Sequence, residues 1–119
     1  MRINLRSAVT IVVFAASTAF AQAQGAEPIV GQWRAETGNI VKVSACGGSY
    51  CATIVTGEHK GKRIGQLSGS GGQYRGTVTD PSSGKTYNGS AAISGGGASL
   101  KLTGCALKIF CKSQTWSRV

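Results

Sequence analysis

From Ile29 onward the chain is a run of short apolar or β-branched stretches whose side chains change character every second residue, a period that admits strands and almost no helix. Val41, Val43 and Ala45 interleave with Ile40, Lys42 and Ser44; Tyr74, Gly76 and Val78 interleave with Gln73, Arg75, Thr77 and Thr79; Leu100 and Leu102 interleave with Lys101 and Thr103. Successive side chains on a strand point to opposite faces, so each such stretch offers one apolar face. The pattern predicts strands over 29–36, 39–45, 50–56, 73–79, 85–93, 98–103 and 113–119. Asp80-Pro81-Ser82-Ser83-Gly84 reads as a turn, with Pro81 presetting φ and Gly84 accepting positive φ. Gly95-Gly96-Gly97 reads as a hairpin turn, and 65–72 and 94–98 read as flexible connections. Seven or eight short antiparallel strands make a barrel or a sandwich. The 18 glycines suit tight turns and sharply bent strands in either.

Residues 1–21 have the layout of a cleavable signal peptide. Arg2 and Arg6 form a positive start, an apolar run over 8–20 follows, and the small residues Ala19 and Ala21 sit where signal peptidase requires them. Cleavage is expected after Ala21, although Ala21-Gln22-Ala23 would serve two residues later. The apolar run falls short of the roughly 20 residues that span a bilayer. Residues 22–119 are then expected to form a single exported domain, periplasmic or secreted and not membrane-spanning after cleavage.

An exported chain of this size with Cys46, Cys51, Cys105 and Cys111 is read as carrying two disulfides. Four cysteines allow three connectivities; a turn between Cys46 and Cys51, and another between Cys105 and Cys111, would let each pair staple its own connection. Such small loops put the entropic contribution toward the low end of roughly 2–4 kcal/mol. Zinc pairs sit two to four residues apart, whereas these have four and five residues between them, so no metal site is expected.

The chain holds 13 Lys and Arg against 4 Asp and Glu, and two of the basic residues lie in the leader. A basic surface attracts anionic envelope material such as acidic lipid headgroups or polyanionic polymers, and export argues against nucleic acid as a physiological partner. The densest cluster, Glu58-His59-Lys60-Gly61-Lys62-Arg63, reads first as a solvated loop. Lys60, Lys62 and Arg63 are its candidate anion-binding residues.

Four segments carry a family resemblance: Ile29-Val30-Gly31-Gln32-Trp33-Arg34, the Cys46 to Cys51 glycine turn, Gly76-Thr77-Val78-Thr79-Asp80-Pro81-Ser82-Ser83-Gly84-Lys85-Thr86-Tyr87, and the ending from Gly104 through Gln114-Thr115-Trp116-Ser117-Arg118. Together they resemble the family called domain of unknown function 2147, small secreted proteins of Gram-negative bacteria. The resemblance implies export and a shared fold but no activity. It departs over 58–72, which is shorter and more basic than the family's usual loop, and at Tyr74, where Trp is expected. More distantly, Gly31-Gln32-Trp33 with Arg118 on the last strand is similar to lipocalins and avidins. That similarity implies a closed barrel with Arg118 over the Trp33 indole, a contact of roughly 0.5–2 kcal/mol. Trp33 and Trp116 as ordinary core aromatics would serve a barrel of this size equally well.

Catalytic signals are sparse. His59 is the sole histidine, and its glycine-flanked, charged setting suits a solvated side chain. Only Glu27, Glu36, Glu58 and Asp80 offer carboxylates; Glu27 falls in an expected N-terminal tail and Asp80 in a turn. There is no Gly-x-Ser-x-Gly elbow, Walker loop or dinucleotide fingerprint, and no cofactor is expected. The expected fold is an all-β, small antiparallel up-and-down barrel of seven or eight strands, with Gly31, Trp33, Trp116 and Arg118 as framework. The expected function is non-catalytic binding, either of a small apolar or amphipathic molecule in the barrel mouth or of an anionic envelope component on the basic surface. A structural or stress-related envelope protein acting through protein contacts is the alternative, and a hydrolase a distant third. Oligomeric state is left open, as is whether Trp33, Val41, Val43, Ile54, Tyr74, Val78, Tyr87, Ile93, Leu100 and Leu102 fill the interior.

Overall fold

The computed structural model describes residues 27–119 apart from Lys108, so the expected signal peptide and its cleavage point lie outside the described residues. Eight antiparallel strands follow one another around a closed barrel: β1 (Gly31–Arg34), β2 (Ile40–Cys46), β3 (Ser49–Ile54), β4 (Arg63–Ser70), β5 (Gln73–Thr79), β6 (Thr86–Ser94), β7 (Ser99–Ala106) and β8 (Phe110–Arg118). A single turn of 3-10 helix at Gly95–Gly97 connects β6 to β7. Asp80 makes the β5 to β6 turn, its Oδ1 accepting from Ser82 N at 2.8 Å. No helix among the described residues is long and apolar enough to cross a membrane.

Strand β4 corrects the expectation of a flexible connection over 65–72: residues 65–70 are strand, and Gly71 and Gly72 alone form the connection. The glycines that suggested a linker sit inside a ladder, Gly65 opposite Val78 and Gly69 opposite Tyr74. A Cβ on Gly69 or on Gly76 would collide with the backbone of the facing strand. Here glycine lets two bent strands approach closely, while Ile64 and Leu67 supply the buried side chains that make β4 a strand.

Because the strands run up and down, connections alternate between two ends. One end is closed by residues 27–30, which cross beneath the strands. Ile29 is buried there, its carbonyl accepting from Trp33 Nε1 at 2.9 Å. Glu27, expected in a free tail, is instead tied down: its Oε1 accepts from Gly71 N and from the Tyr74 hydroxyl, each at 2.8 Å. Above this plug lie Trp33, Tyr74, Leu100, Val41, Val43, Leu67 and Trp116, all buried, with Tyr50 set edge-on to Tyr74 at 5.8 Å. A void of ≈ 10 Å³ beside Ile29, Tyr50 and Leu100 shows how completely this half is filled. Tyr87, Ile93 and Leu102 are only partly buried. Tyr87 and Leu102 lie nearer the other end, which is open.

Candidate functional site: a cup at the open end

Period-two alternation sends one side chain in two from every strand inward, and at the open end these line a cup of ≈ 1010 Å³. Its wall is apolar: Val41, Ile54, Ile64, Val78, Leu102 and the Tyr87 ring, with Trp116 toward the base. On the β6 to β7 side, the paired Gly89 and Gly104 leave room for Val78. A Cβ on Gly89 would come within 2.7 Å of Val78, and one on Gly104 within 2.8 Å, so Val78 occupies the space that two larger residues would need.

Strand β8 gives the cup its polar groups. Lys112, Gln114 and Trp116 share one face and all line the cup. Gln114 Oε1 accepts from Trp116 Nε1 at 2.9 Å, which fixes the indole edge and leaves the Gln114 amide NH₂ as a donor. Lys112 is exposed at the wall and belongs to no ion pair among the described residues. At the rim stand Asn39, Asp80 and His59, whose Nε2 lies 3.9 Å from Glu58 Oε2. Among the described residues, no three of His, Cys, Asp and Glu gather as they would around a metal ion.

The wall is incomplete at one seam. β1 has four residues and pairs with β8 only at Trp33 with Arg118 and Arg34 with Ser117. The outer part of β8 thus runs past the end of β1, stitched beyond it by Glu36 Oε2, which accepts from Thr115 N at 2.8 Å.

The other residues singled out in the sequence are spread over both ends. Cys46 and Cys51 are joined across the β2 to β3 hairpin at the closed end, Cα to Cα 5.8 Å. Cys105 and Cys111, direct partners in the β7 to β8 ladder, are joined at the mouth, 4.0 Å apart. Arg118 caps the closed end, its guanidinium carbon 4.0 Å from the Trp33 ring centre. It donates to Gly97 O at 3.0 Å, Val30 O at 2.9 Å and Pro28 O at 2.6 Å. Gly31, at φ 138°, makes room for it, since a Cβ there would lie 2.6 Å from Arg118 Nη1. Lys60, Lys62 and Arg63 are exposed on the mouth side, with Lys62 Nζ reaching Pro81 O at 3.4 Å. They stand around the cup without lining it. Lys112 and Gln114 were not singled out in the sequence, although their spacing from Trp116 carried the signal.

These features define a class: a closed eight-stranded up-and-down barrel with a filled base and an open cup. Residues 31–118 match the family described as an uncharacterized protein conserved in bacteria (DUF2147), and the chain belongs to that family. No curated protein and no solved structure matches the chain.

Proposed function

We propose that the chain is an exported, non-catalytic binding protein that holds one small amphipathic molecule in its cup. The apolar part lies against Val41, Ile54, Val78, Tyr87 and Leu102, and the polar end meets Lys112 and the Gln114 amide. The observation that carries this reading is the ≈ 1010 Å³ cup above a filled base. Ligand sites are concave and mostly apolar with a few placed polar groups, and span roughly 300–1,000 Å³. Lys112 favours a molecule with an anionic or hydrogen-bond-accepting head. The two disulfides fit an oxidising, extracytoplasmic compartment and so support export.

Native mass spectrometry of protein recovered from its own cells, compared with the denatured sample, tests occupancy directly; a mass excess lost on denaturation is the expected result. A fluorescent amphiphile with an anilinonaphthalene body and a sulfonate head should bind as well. Leu102→Trp, which fills the cup, and Lys112→Glu, which reverses its charge, should each weaken that binding about tenfold or more. Equal masses together with no probe binding would overturn the proposal. A second reading, a structural or stress-related envelope protein acting through contacts, is favoured by the exposed Leu107, Ile109 and Phe110.

A further inference from the structure

Leu107, Ile109 and Phe110, at the β7 to β8 turn, are 81%, 76% and 65% exposed. With Val119 at the other end, they are the exposed large apolar side chains among the described residues, and Ile109 and Phe110 also line the rim of the cup. The turn cannot fold back to hide them. Ala106 and Phe110 still pair in the ladder, and the Cys105 to Cys111 disulfide clamps the strands one step below. Only residues 107–109 are left to span the tip. Leu107 turns the chain at φ 56°, the one non-glycine residue at positive φ among those described. The tip is therefore a short, pinned projection with an apolar end.

Charge is distributed along the same axis. At the closed end the connections 47–48, 71–72 and 95–98 contain no ionisable residue. On the mouth side, Lys60, Lys62, Arg63 and Lys85 are exposed in or beside the β3 to β4 and β5 to β6 connections, and Lys112 lies just below the apolar tip. The described acids at this end are Glu36, Glu58 and Asp80, of which Glu36 holds Thr115 N and Asp80 holds the turn at Ser82. The cations thus outnumber the acids on the face from which the apolar tip projects.

An apolar tip that penetrates a few ångströms, surrounded by cations that stay at headgroup level, is the pattern that recognises an anionic lipid surface. We propose that the mouth end of the barrel docks onto a bilayer rich in anionic lipid. Leu107, Ile109 and Phe110 insert among the headgroups, and Lys60, Lys62, Arg63 and Lys85 face the phosphates. In this orientation the cup opens toward the lipid. Leu107 belongs to the docking surface alone, whereas Ile109 and Phe110 are shared with the cup rim.

Vesicle flotation tests it, using the protein in the N-terminal form its own cells leave it in and the same form for every variant. The wild type should float with vesicles containing phosphatidylglycerol, release as salt rises, and bind pure phosphatidylcholine vesicles about tenfold or more weakly. The combined Leu107→Ser, Ile109→Ser and Phe110→Ser variant should lose binding by about tenfold or more. Leu107→Asn, which suits positive φ and leaves the rest of the turn intact, should show a smaller loss in the same direction. Failure of the wild type to bind phosphatidylglycerol vesicles at low salt would overturn the docking, as would undiminished binding by both variants. A concentration-dependent dimer that the serine variant abolishes, without vesicle binding by the wild type, would assign the tip to a second copy of the chain and equally overturn it. Leu107 does not line the cup, so Leu107→Asn reads the docking apart from cup occupancy, and native mass spectrometry of the wild type reads occupancy apart from docking.

Discussion

Tyr74 joins core packing to chemistry. Its ring is buried, and its hydroxyl donates to Glu27 Oε1 at 2.8 Å while accepting from Gly72 N at 3.3 Å. Burial raises the phenol above its ordinary value of 10.0, and the hydrogen bond to the Glu27 carboxylate raises it further. The folded state therefore holds this proton more tightly than the unfolded chain. The stabilisation is complete below about pH 10 and is lost as pH climbs through the higher folded value. Urea unfolding followed from pH 8 to 11 should show stability falling at the alkaline end. Tyr74→Phe should flatten that fall while lowering stability at neutral pH by about 1 kcal/mol. An unchanged alkaline slope in the variant would assign the fall to other groups.

At the scale of strands, the glycines divide by purpose. Gly95, Gly96 and Gly97 make a turn with φ of 63°, 68° and 97°, whereas Gly76 lies within β5 and is needed for a close approach to Gln66 and Leu67 on β4. Gly76→Ala should force that pair of strands apart, with a loss of about 3 kcal/mol in chemical denaturation. A variant as stable as the wild type would show that the approach can relax at little cost. The same distinction explains what could be read from the chain alone. Strands β2, β5 and β7 were plain because their apolar residues alternate without interruption. Strand β4 was hidden because three of its eight positions are glycine or serine at the end that meets β5, and Gly-Ser composition also describes a linker. Within the site, the period linking Lys112, Gln114 and Trp116 was present in the sequence. Nothing in the sequence revealed that β1 has only four residues, and that is what leaves the outer part of β8 without a strand partner on that side. Glu27 was illegible for a related reason: its partners Gly71 and Tyr74 lie 44 and 47 residues away.

The whole molecule divides into a filled half and an open half, with Arg118 as the clasp of the filled one. It gathers the carbonyls of Pro28, Val30 and Gly97 and covers the Trp33 ring, so one side chain holds the plug, a turn and the first strand together. Arg118→Ala would leave those carbonyls short of a donor and the indole uncovered. A loss of about 3 kcal/mol is expected from the charge-assisted hydrogen bonds and the ring contact combined. Arg118→Lys should recover only part of it, because an ammonium cannot reproduce the planar fork. Thermal unfolding of the two variants checks this, and equal melting temperatures for Lys and wild type would show that charge alone suffices. Binding of the fluorescent amphiphile at a temperature where both variants are folded should change little, since Arg118 and the cup lie at opposite ends.

The clasp also bears on when the barrel can close. Neighbouring hairpins such as β7 with β8 form from nearby residues, but the contact of Arg118 with Pro28 spans 90 positions. Closing so long a loop costs about 2 kcal/mol more than closing one of ten residues. The hairpins are therefore expected to assemble first as a curved, open sheet, with the seam between β1 and β8 closing last, once the final strand is in place. The seam has two residue pairs, one hydrogen bond beyond them toward the mouth, from Thr115 to Glu36, and at the closed end those of Arg118 with Val30 and Pro28 and of Val119 with Gln32. Its mouth side is therefore where the folded barrel is expected to part first, lengthening the mouth into a slot along its side.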